Sequence, residues 1–225
     1  MIRKEKLVTG EIYHIFNRSI ANFEIFNSAT EFLRMKNVIR YYQIKKPCLR
    51  FSLFIEPAIK QGFDNYLMSM AQGKEKLVNI VAYCIMPTHI HLILRQLKEN
   101  GISIFTGNIL NSYSRYFNTK HRRKGPLWEG KFKNILVKTD EQLLHLTRYI
   151  HLNPVTANLV NKPENWTTSS YREYLLELNN KEGVCCYNDI LNINPISYRK
   201  FVEDRIAYQK ELATIKGLLL DEVIP

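Results

Sequence analysis

Residues 77–94 read LVNIVAYCIMPTHIHLIL, and this stretch decides the fold. Its first half, residues 77–85, is almost entirely apolar, which is typical of a buried strand. The turn-forming residues 86–88, Met-Pro-Thr, interrupt the apolar run, and residues 89–94 have the composition of a second strand. We therefore predict a β-hairpin near the middle of the chain.

Strand-like and helix-like segments alternate on both sides of this hairpin. The predicted elements are a strand over 10–17, a helix over 28–43, a helix over 102–118, a strand over 128–137 and a helix over 139–153. The last helix is expected to end at Asn153, because Pro154 disfavours helical backbone in the residue before it.

The order strand, helix, strand, strand, helix, strand, helix predicts an α+β fold, with an RRM-like or ferredoxin-like antiparallel sheet covered by helices. We expect residues 1–175 to form one domain. Residues 47–75 show no clear period apart from a possible strand over 49–54, and they are interpreted as an insertion. Residues 176–225 are expected to form a mainly helical C-terminal extension, with a helix over about 198–220.

The composition indicates a basic protein. The 225 residues include 32 Lys and Arg against 21 Asp and Glu, which gives a formal net charge of +11. Such an excess favours a polyanionic partner, and we expect nucleic acid. No apolar run approaches the ~20 residues that span a bilayer, so no membrane contact is expected. The four cysteines have no C-x-x-C spacing, which predicts reduced thiols and a cytoplasmic location.

His89 and His91 are two residues apart in the second strand of the hairpin. Their side chains therefore point to the same face, while Ile90 points into the core. Two neighbouring imidazoles can chelate a metal ion. The alternative is a pair of histidines on a solvated strand face.

His145, Tyr149 and Asn153 recur every four residues and lie along one face of the last predicted helix. If this face meets the histidine strand, Asn153 can offer an amide oxygen as a third metal ligand. The hydroxyl of Tyr149 can then lie over a metal-bound phosphate. The alternative is that Tyr149 is a half-buried aromatic residue and that Asn153 caps the helix.

Five motifs occur in a fixed order over residues 10–172. They are YHIFNR at 13–18, YCIMPTHIHL at 83–92, GPLWEGKF at 125–132, RYIHLNPV at 148–155 and WTTSSY at 166–171. Together they resemble the HUH single-tyrosine transposases, and within these the REP-associated tyrosine transposases. The resemblance implies an RRM-like fold and an enzyme that cuts and rejoins single-stranded or hairpin DNA through a 5′-phosphotyrosine.

The resemblance also implies a role for each matching residue. Tyr149 is the nucleophile, and His89, His91 and Asn153 hold a divalent ion. Imidazole and oxygen ligands suit both Mn²⁺ and Mg²⁺, so the sequence leaves the ion open. His145, one turn before Tyr149, is either an auxiliary residue or a surface histidine. A monomer and a homodimer are both compatible with the family.

Basic residues cluster between the helix over 102–118 and the strand that follows it. We predict that this cluster, with a few neighbouring cations, contacts the phosphate backbone of DNA. A solvated charged surface is the alternative. The candidate DNA-binding residues are Arg18, Arg115, Lys120, Arg122, Arg123, Lys124, Lys131 and Lys133.

Two other functions remain open. A non-catalytic DNA- or RNA-binding module of the same fold would stack bases on aromatic side chains. The presence of both histidines, Tyr149 and Asn153 argues against a loss of activity. A metal nuclease that uses water as its nucleophile would need the same histidines but no tyrosine, so the variant Tyr149→Phe distinguishes it.

Overall fold

A four-stranded antiparallel sheet forms the centre of the computed structural model, which describes residues 6–177 and 183–211. The strands are β1 Ile12–Arg18, β2 Val78–Met86, β3 His89–Gln96 and β4 Lys133–Val137, in the order β2-β3-β1-β4. The hairpin predicted from residues 77–94 is confirmed as β2 and β3. The late strand begins at Lys133, not at Trp128 as predicted.

The helices of the described residues cover both faces of this sheet. They are α1 Ala29–Tyr42, α2 Phe51–Gln61, α3 Phe63–Ala71, α4 Gly101–Lys120, α5 Asp140–Thr156, α6 Tyr171–Tyr174 and α7 Pro195–Glu203. The predicted α+β class is confirmed. No helix in the described part of the chain combines the length and the apolar character needed to cross a membrane.

Strand alternation divides the core into two layers. Tyr13 and Ile15 of β1 are buried in one layer with side chains of α1 and α4. Ile93 of β3 is buried in the other layer with Leu143 and Ile150 of α5. Successive strand residues point to opposite faces, so Ile12, His14 and Phe16 face α5. The site therefore forms on the α5 face of the sheet.

The segment 47–75 folds as two helices, so the strand expected over 49–54 is wrong. Phe51, Phe54 and Ala58 are buried, and their spacing of three and four residues gives α2 one apolar face. This face packs on Tyr41 of α1, whose ring centroid lies 4.4 Å from that of Phe54. The short apolar run was ambiguous in sequence because a strand and a helix bury similar residues over so few positions.

α5 continues to Thr156, so the end predicted at Asn153 is wrong. Pro154 only removes one N–H donor and disfavours helical backbone before it. The backbone N–H of Ala157 still donates to the carbonyl of Asn153, at 2.9 Å. Pro154 and Val155 are both buried, and their packing offsets the lost hydrogen bond.

The C-terminal extension packs on the α5 side of the molecule. Tyr187, Tyr198 and Val202 are buried in the same apolar layer as Ile150. The helix expected over about 198–220 is interrupted, because α7 ends at Glu203 and helical backbone resumes at 206–211. The rest of that predicted helix lies outside the described residues. The domain boundary at residue 175 stays a prediction.

Candidate active site

β3 presents His89 and His91 on the sheet face that α5 covers. Their ring centroids are 5.0 Å apart and the rings are perpendicular. Ile90, between them, is buried in the opposite layer. The prediction that the two imidazoles share a face is confirmed, and His91 is buried beneath α5 rather than lying on an open strand face.

Each imidazole is oriented by a hydrogen bond at Nδ1. The hydroxyl of Thr88 lies 2.9 Å from Nδ1 of His89. Nδ1 of His91 lies 2.9 Å from Nε2 of His14, which is on the neighbouring strand β1. With Nδ1 engaged, Nε2 is the nitrogen that each ring has left for another ligand.

All three histidines are neutral at physiological pH. Burial lowers the pKa of His14 to about 4. Burial and the positive charge of Arg18 lower the pKa of His89 to about 4. Burial lowers the pKa of His91 well below its ordinary value, and the neighbouring His14, His89 and Arg18 add to the effect. A neutral imidazole keeps a lone pair, which a metal ion requires.

α5 brings Tyr149 over the histidines. Thr139 caps the helix, because its hydroxyl accepts from the N–H of Gln142 at 3.1 Å. The Gln142 side chain accepts from the N–H of Lys138, the residue before the cap, at 2.8 Å. The Tyr149 ring centroid lies 5.9 Å from that of His91 and 6.5 Å from that of His14. The side chain is 42% exposed, so a large ligand can reach it.

Asn153 lies one turn beyond Tyr149 inside α5, whose C-cap is Ala157, and this excludes the capping role for Asn153. Its Nδ2 atom is buried without a hydrogen-bond partner. Such an unpaired donor is rare in a folded protein, and rotation of the side-chain amide by about 180° would place an oxygen acceptor at the same position. Within 6–177 and 183–211, no group of three or more His, Cys, Asp or Glu side chains is placed to hold a metal ion.

Two of the predicted DNA-binding cations lie on the same face as the histidines. Arg18 is directly opposite His89 in the β1–β3 register. Lys133 is opposite Phe16 in the β1–β4 register, and Phe16 is in turn opposite His91. Both cations are exposed, which leaves them available to a phosphate backbone that reaches Tyr149.

The remaining predicted cations are not brought to the histidines. Arg115 and Lys120 are on α4, across the sheet from Tyr149, and Lys120 is ion-paired with the buried Glu31 at 2.8 Å. Arg123 donates to the side chain of Asn118 at 3.2 Å. Exposed cations on the segment after α4 are Arg122, Lys124 and Lys131.

His14 is a residue of the site that was not predicted from the sequence. Strand alternation alone places the His14 side chain on the same face of β1 as Phe16. This periodicity was the one signal in the sequence that could have indicated it. Its partner was not visible, since His91 is 77 residues away in the chain. His145, in contrast, contacts Arg148 at 2.7 Å and the Phe201 ring.

Comparison with known proteins finds relatives in sequence and in fold. The family model described as "Transposase IS200 like" matches residues 35–153. A Haemophilus influenzae protein classed as a REP-associated tyrosine transposase is 30% identical over 137 residues, covering 54% of this chain and 77% of that protein. A solved structure of a REP-associated tyrosine transposase bound to a REP hairpin shares the fold, with a TM-score of 0.50, 14% identity, and coverage of 86% of this chain and 96% of that one.

Fold and family together define the class as the tyrosine transposases, enzymes that transfer DNA strands. Within this class, the chain belongs to the IS200-like transposase family. The matched region runs from α1 to Asn153 and so includes the histidine strand and most of α5.

Proposed function

We propose that this transposase cleaves and rejoins single-stranded DNA at hairpin sequences of the REP type, with Tyr149 as its nucleophile. One observation carries the proposal: the half-exposed Tyr149 ring lies edge-on above His14 and His91, at 6.5 and 5.9 Å between ring centroids. A phosphodiester seated between the tyrosine and the histidines would meet both at once. The hairpin is inferred from the solved relative that is bound to one.

In the cleavage step, the Tyr149 oxygen forms a bond to phosphorus and the bond from phosphorus to the 3′ oxygen breaks. The tyrosine loses a proton and the departing 3′ oxygen gains one, so the products are a 5′-phosphotyrosine and a free 3′-hydroxyl. Attack by another 3′-hydroxyl reverses the step and rejoins the strands. The reaction needs no nucleotide cofactor, because the phosphotyrosine link retains the energy of the phosphodiester.

His89, His91 and Asn153 would hold a divalent ion, either Mg²⁺ or Mn²⁺. The neutral imidazoles and the unpaired Asn153 amide fit such an ion, although an amide oxygen must replace the nitrogen by rotation of the side chain. When bound, the ion would neutralise negative charge on the phosphate. His14 and Thr88 would keep the two imidazoles in the orientation that presents Nε2.

DNA would approach along the open edge of the sheet at β4. Arg18 of β1 and Lys133 of β4 flank the site there. Ile135, two residues after Lys133 in β4, is 50% exposed. Arg122, Lys124 and Lys131 follow on the segment that runs back to β1, where the N–H of Glu129 donates to the carbonyl of Arg18 at 2.9 Å. A backbone held by these cations would pass across Tyr149.

The decisive experiment is adduct formation. The protein is incubated with a panel of labelled single-stranded DNA hairpins and Mg²⁺ or Mn²⁺, and the products are separated on a denaturing gel. We expect a slowly migrating protein–DNA adduct that is absent with EDTA, with Tyr149→Phe and with His89→Ala. Tyr149→Phe keeps the ring, so it serves as the control for folding.

Two results would overturn the proposal. Cleavage that survives Tyr149→Phe would identify a nuclease that uses water. Hairpin binding without cleavage of any member of the panel would identify a non-catalytic binding module.

A further inference from the structure

A second cleft lies on the sheet face opposite Tyr149, where α1, the start of α2 and α4 meet. Its volume is about 510 Å³, within the range of ~300–1,000 Å³ in which proteins bind small ligands. Arg50 and Phe51 of the segment 47–75 form one wall, and α4 forms the other. The inserted segment therefore creates a cleft that the ferredoxin-like sheet and its two helices would not form alone.

The cleft is lined by cations and by no acidic side chain. Arg34, Arg50, Arg115 and Lys120 line it. Lys120 is neutralised by the buried Glu31. The three arginines form no ion pair with any residue of the described ranges, and Nε of Arg34 is buried without a hydrogen-bond partner. Unpaired guanidinium groups in a concave site favour a phosphate, because their planar donors match its oxygens.

Aromatic rings stand beside these charges. The Arg34 guanidinium lies over the Phe51 ring at 4.4 Å and over the Tyr116 ring at 4.8 Å. These contacts hold Arg34 in place inside the cleft. The polar face of α4 adds Asn108, Asn111, Ser112 and Thr119, whose side chains can hydrogen-bond to a base edge or a sugar. A positively charged groove and aromatic side chains are the two components with which proteins bind unpaired nucleotides.

We propose that this cleft binds a nucleotide of a DNA single strand, with its phosphate on Arg34, Arg50 and Arg115 and its base against Tyr116. The inference rests on the proposed function only in taking single-stranded DNA as the substrate. The cleft is a second contact that grips the strand away from the phosphodiester at Tyr149. Arg115, which was predicted to bind DNA, would do so in this cleft and not at the active site.

Strand binding is tested without cleavage, in a Tyr149→Phe background with EDTA. Fluorescence anisotropy follows a labelled oligothymidylate at several salt concentrations. In the double variant Arg50→Gln/Arg115→Gln we expect binding at least ten-fold weaker. The slope of log affinity against log salt should fall by about 1.4, at about 0.7 for each lost phosphate contact. Both arginines are exposed, so the fold should survive, and circular dichroism checks this.

The matched control is Lys46→Gln/Lys200→Gln, which removes the same charge from two exposed sites outside the cleft. We expect less than a two-fold change. Equal weakening in both double variants, or no oligothymidylate binding at all, would overturn the proposal. Thymidine monophosphate that binds as tightly as the oligonucleotide would also overturn it, because the cleft would then be a site for free nucleotides.

Crosslinking locates the strand in the protein with Arg50 and Arg115 intact. An oligonucleotide carrying 5-bromodeoxyuridine is irradiated with the protein, and the adducts are mapped by mass spectrometry. We expect adducts at Tyr116 or Tyr42, and adducts confined to the Tyr149 face would contradict the inference. A protein that fails to form the phosphotyrosine adduct can still pass both tests, so the two proposals fail separately.

Discussion

Nε2 of His14 lies 2.9 Å from Nδ1 of His91, and the two rings are stacked with centroids 5.1 Å apart. The contact joins β1 to β3 on the face that α5 covers. The contact fixes the ring plane of His91. It occupies Nδ1 and leaves Nε2 of His91 for another ligand. His14 is therefore a positioning residue for His91, comparable to the groups that orient the ligands of metal sites.

Replacement of His14 should weaken metal binding. We expect His14→Ala to bind Mn²⁺ about ten-fold or more weakly, because loss of an orienting partner typically costs that much. Electron paramagnetic resonance of free Mn²⁺ in a titration measures the affinity without DNA. His145→Ala is the control, since His145 contacts Arg148 and Phe201 and not the histidine pair. Unchanged Mn²⁺ affinity in His14→Ala would remove His14 from the site.

Substitution of Asn153 should affect activity without lowering stability. Because its buried Nδ2 has no hydrogen-bond partner, Asn153→Leu should leave the free energy of unfolding unchanged or raise it by up to about 1 kcal/mol. Adduct formation should fall at least ten-fold. Urea unfolding and the gel assay measure the two effects. A variant that is destabilised and still active would show that the amide is structural.

Arg18 should contribute one phosphate contact. Arg18→Gln is expected to weaken binding of a hairpin and to reduce the salt slope by about 0.7–0.9. Arg95→Gln is the matched control, because Arg95 is on the same strand face as His89 but six residues, or about 20 Å, away along β3. An equal effect of the two substitutions would indicate long-range attraction by net charge and no contact at Arg18.

Glu31 should make the fold sensitive to acid. Burial alone would raise its pKa, but hydrogen bonds from Lys120, the N–H of Asn27 and His121 outweigh burial and lower the pKa to about 2. The carboxylate has an ordinary pKa of 4.5, so its stabilisation is present above pH 4.5 and is lost as the pH falls towards 2.

Glu31→Gln should lower the free energy of unfolding at pH 7 by about 2 kcal/mol, because buried donors lose a charged acceptor. It should also reduce the pH dependence of stability between pH 4.5 and 2. Urea unfolding at several pH values measures both effects. Glu141→Gln is the control, since the Glu141 side chain is 86% exposed. Parallel pH profiles of Glu31→Gln and the unaltered protein would contradict this account.

The sequence by itself determined the hairpin, the shared face of His89 and His91, and the stripe that carries Tyr149 and Asn153. These features depend on local periodicity, which is two residues in a strand and about four residues in a helix. Such periods are visible in the sequence itself. Local periodicity did not predict the structure of the segment 47–75. Packing of its apolar residues on Tyr41 decides that they form a helix. The same holds for the end of α5, where burial of Val155 offsets the effect of Pro154.

Only the tertiary structure decided which distant residues meet. The pairing of β1 with β3 brings His14 to His91, and the docking of α5 brings Tyr149 to both. The packing of α2 on α1 places the Phe51 ring next to Arg34. Such contacts depend on strand register and helix docking between segments far apart in the chain. They are set by the burial of the whole core, which no local pattern contains.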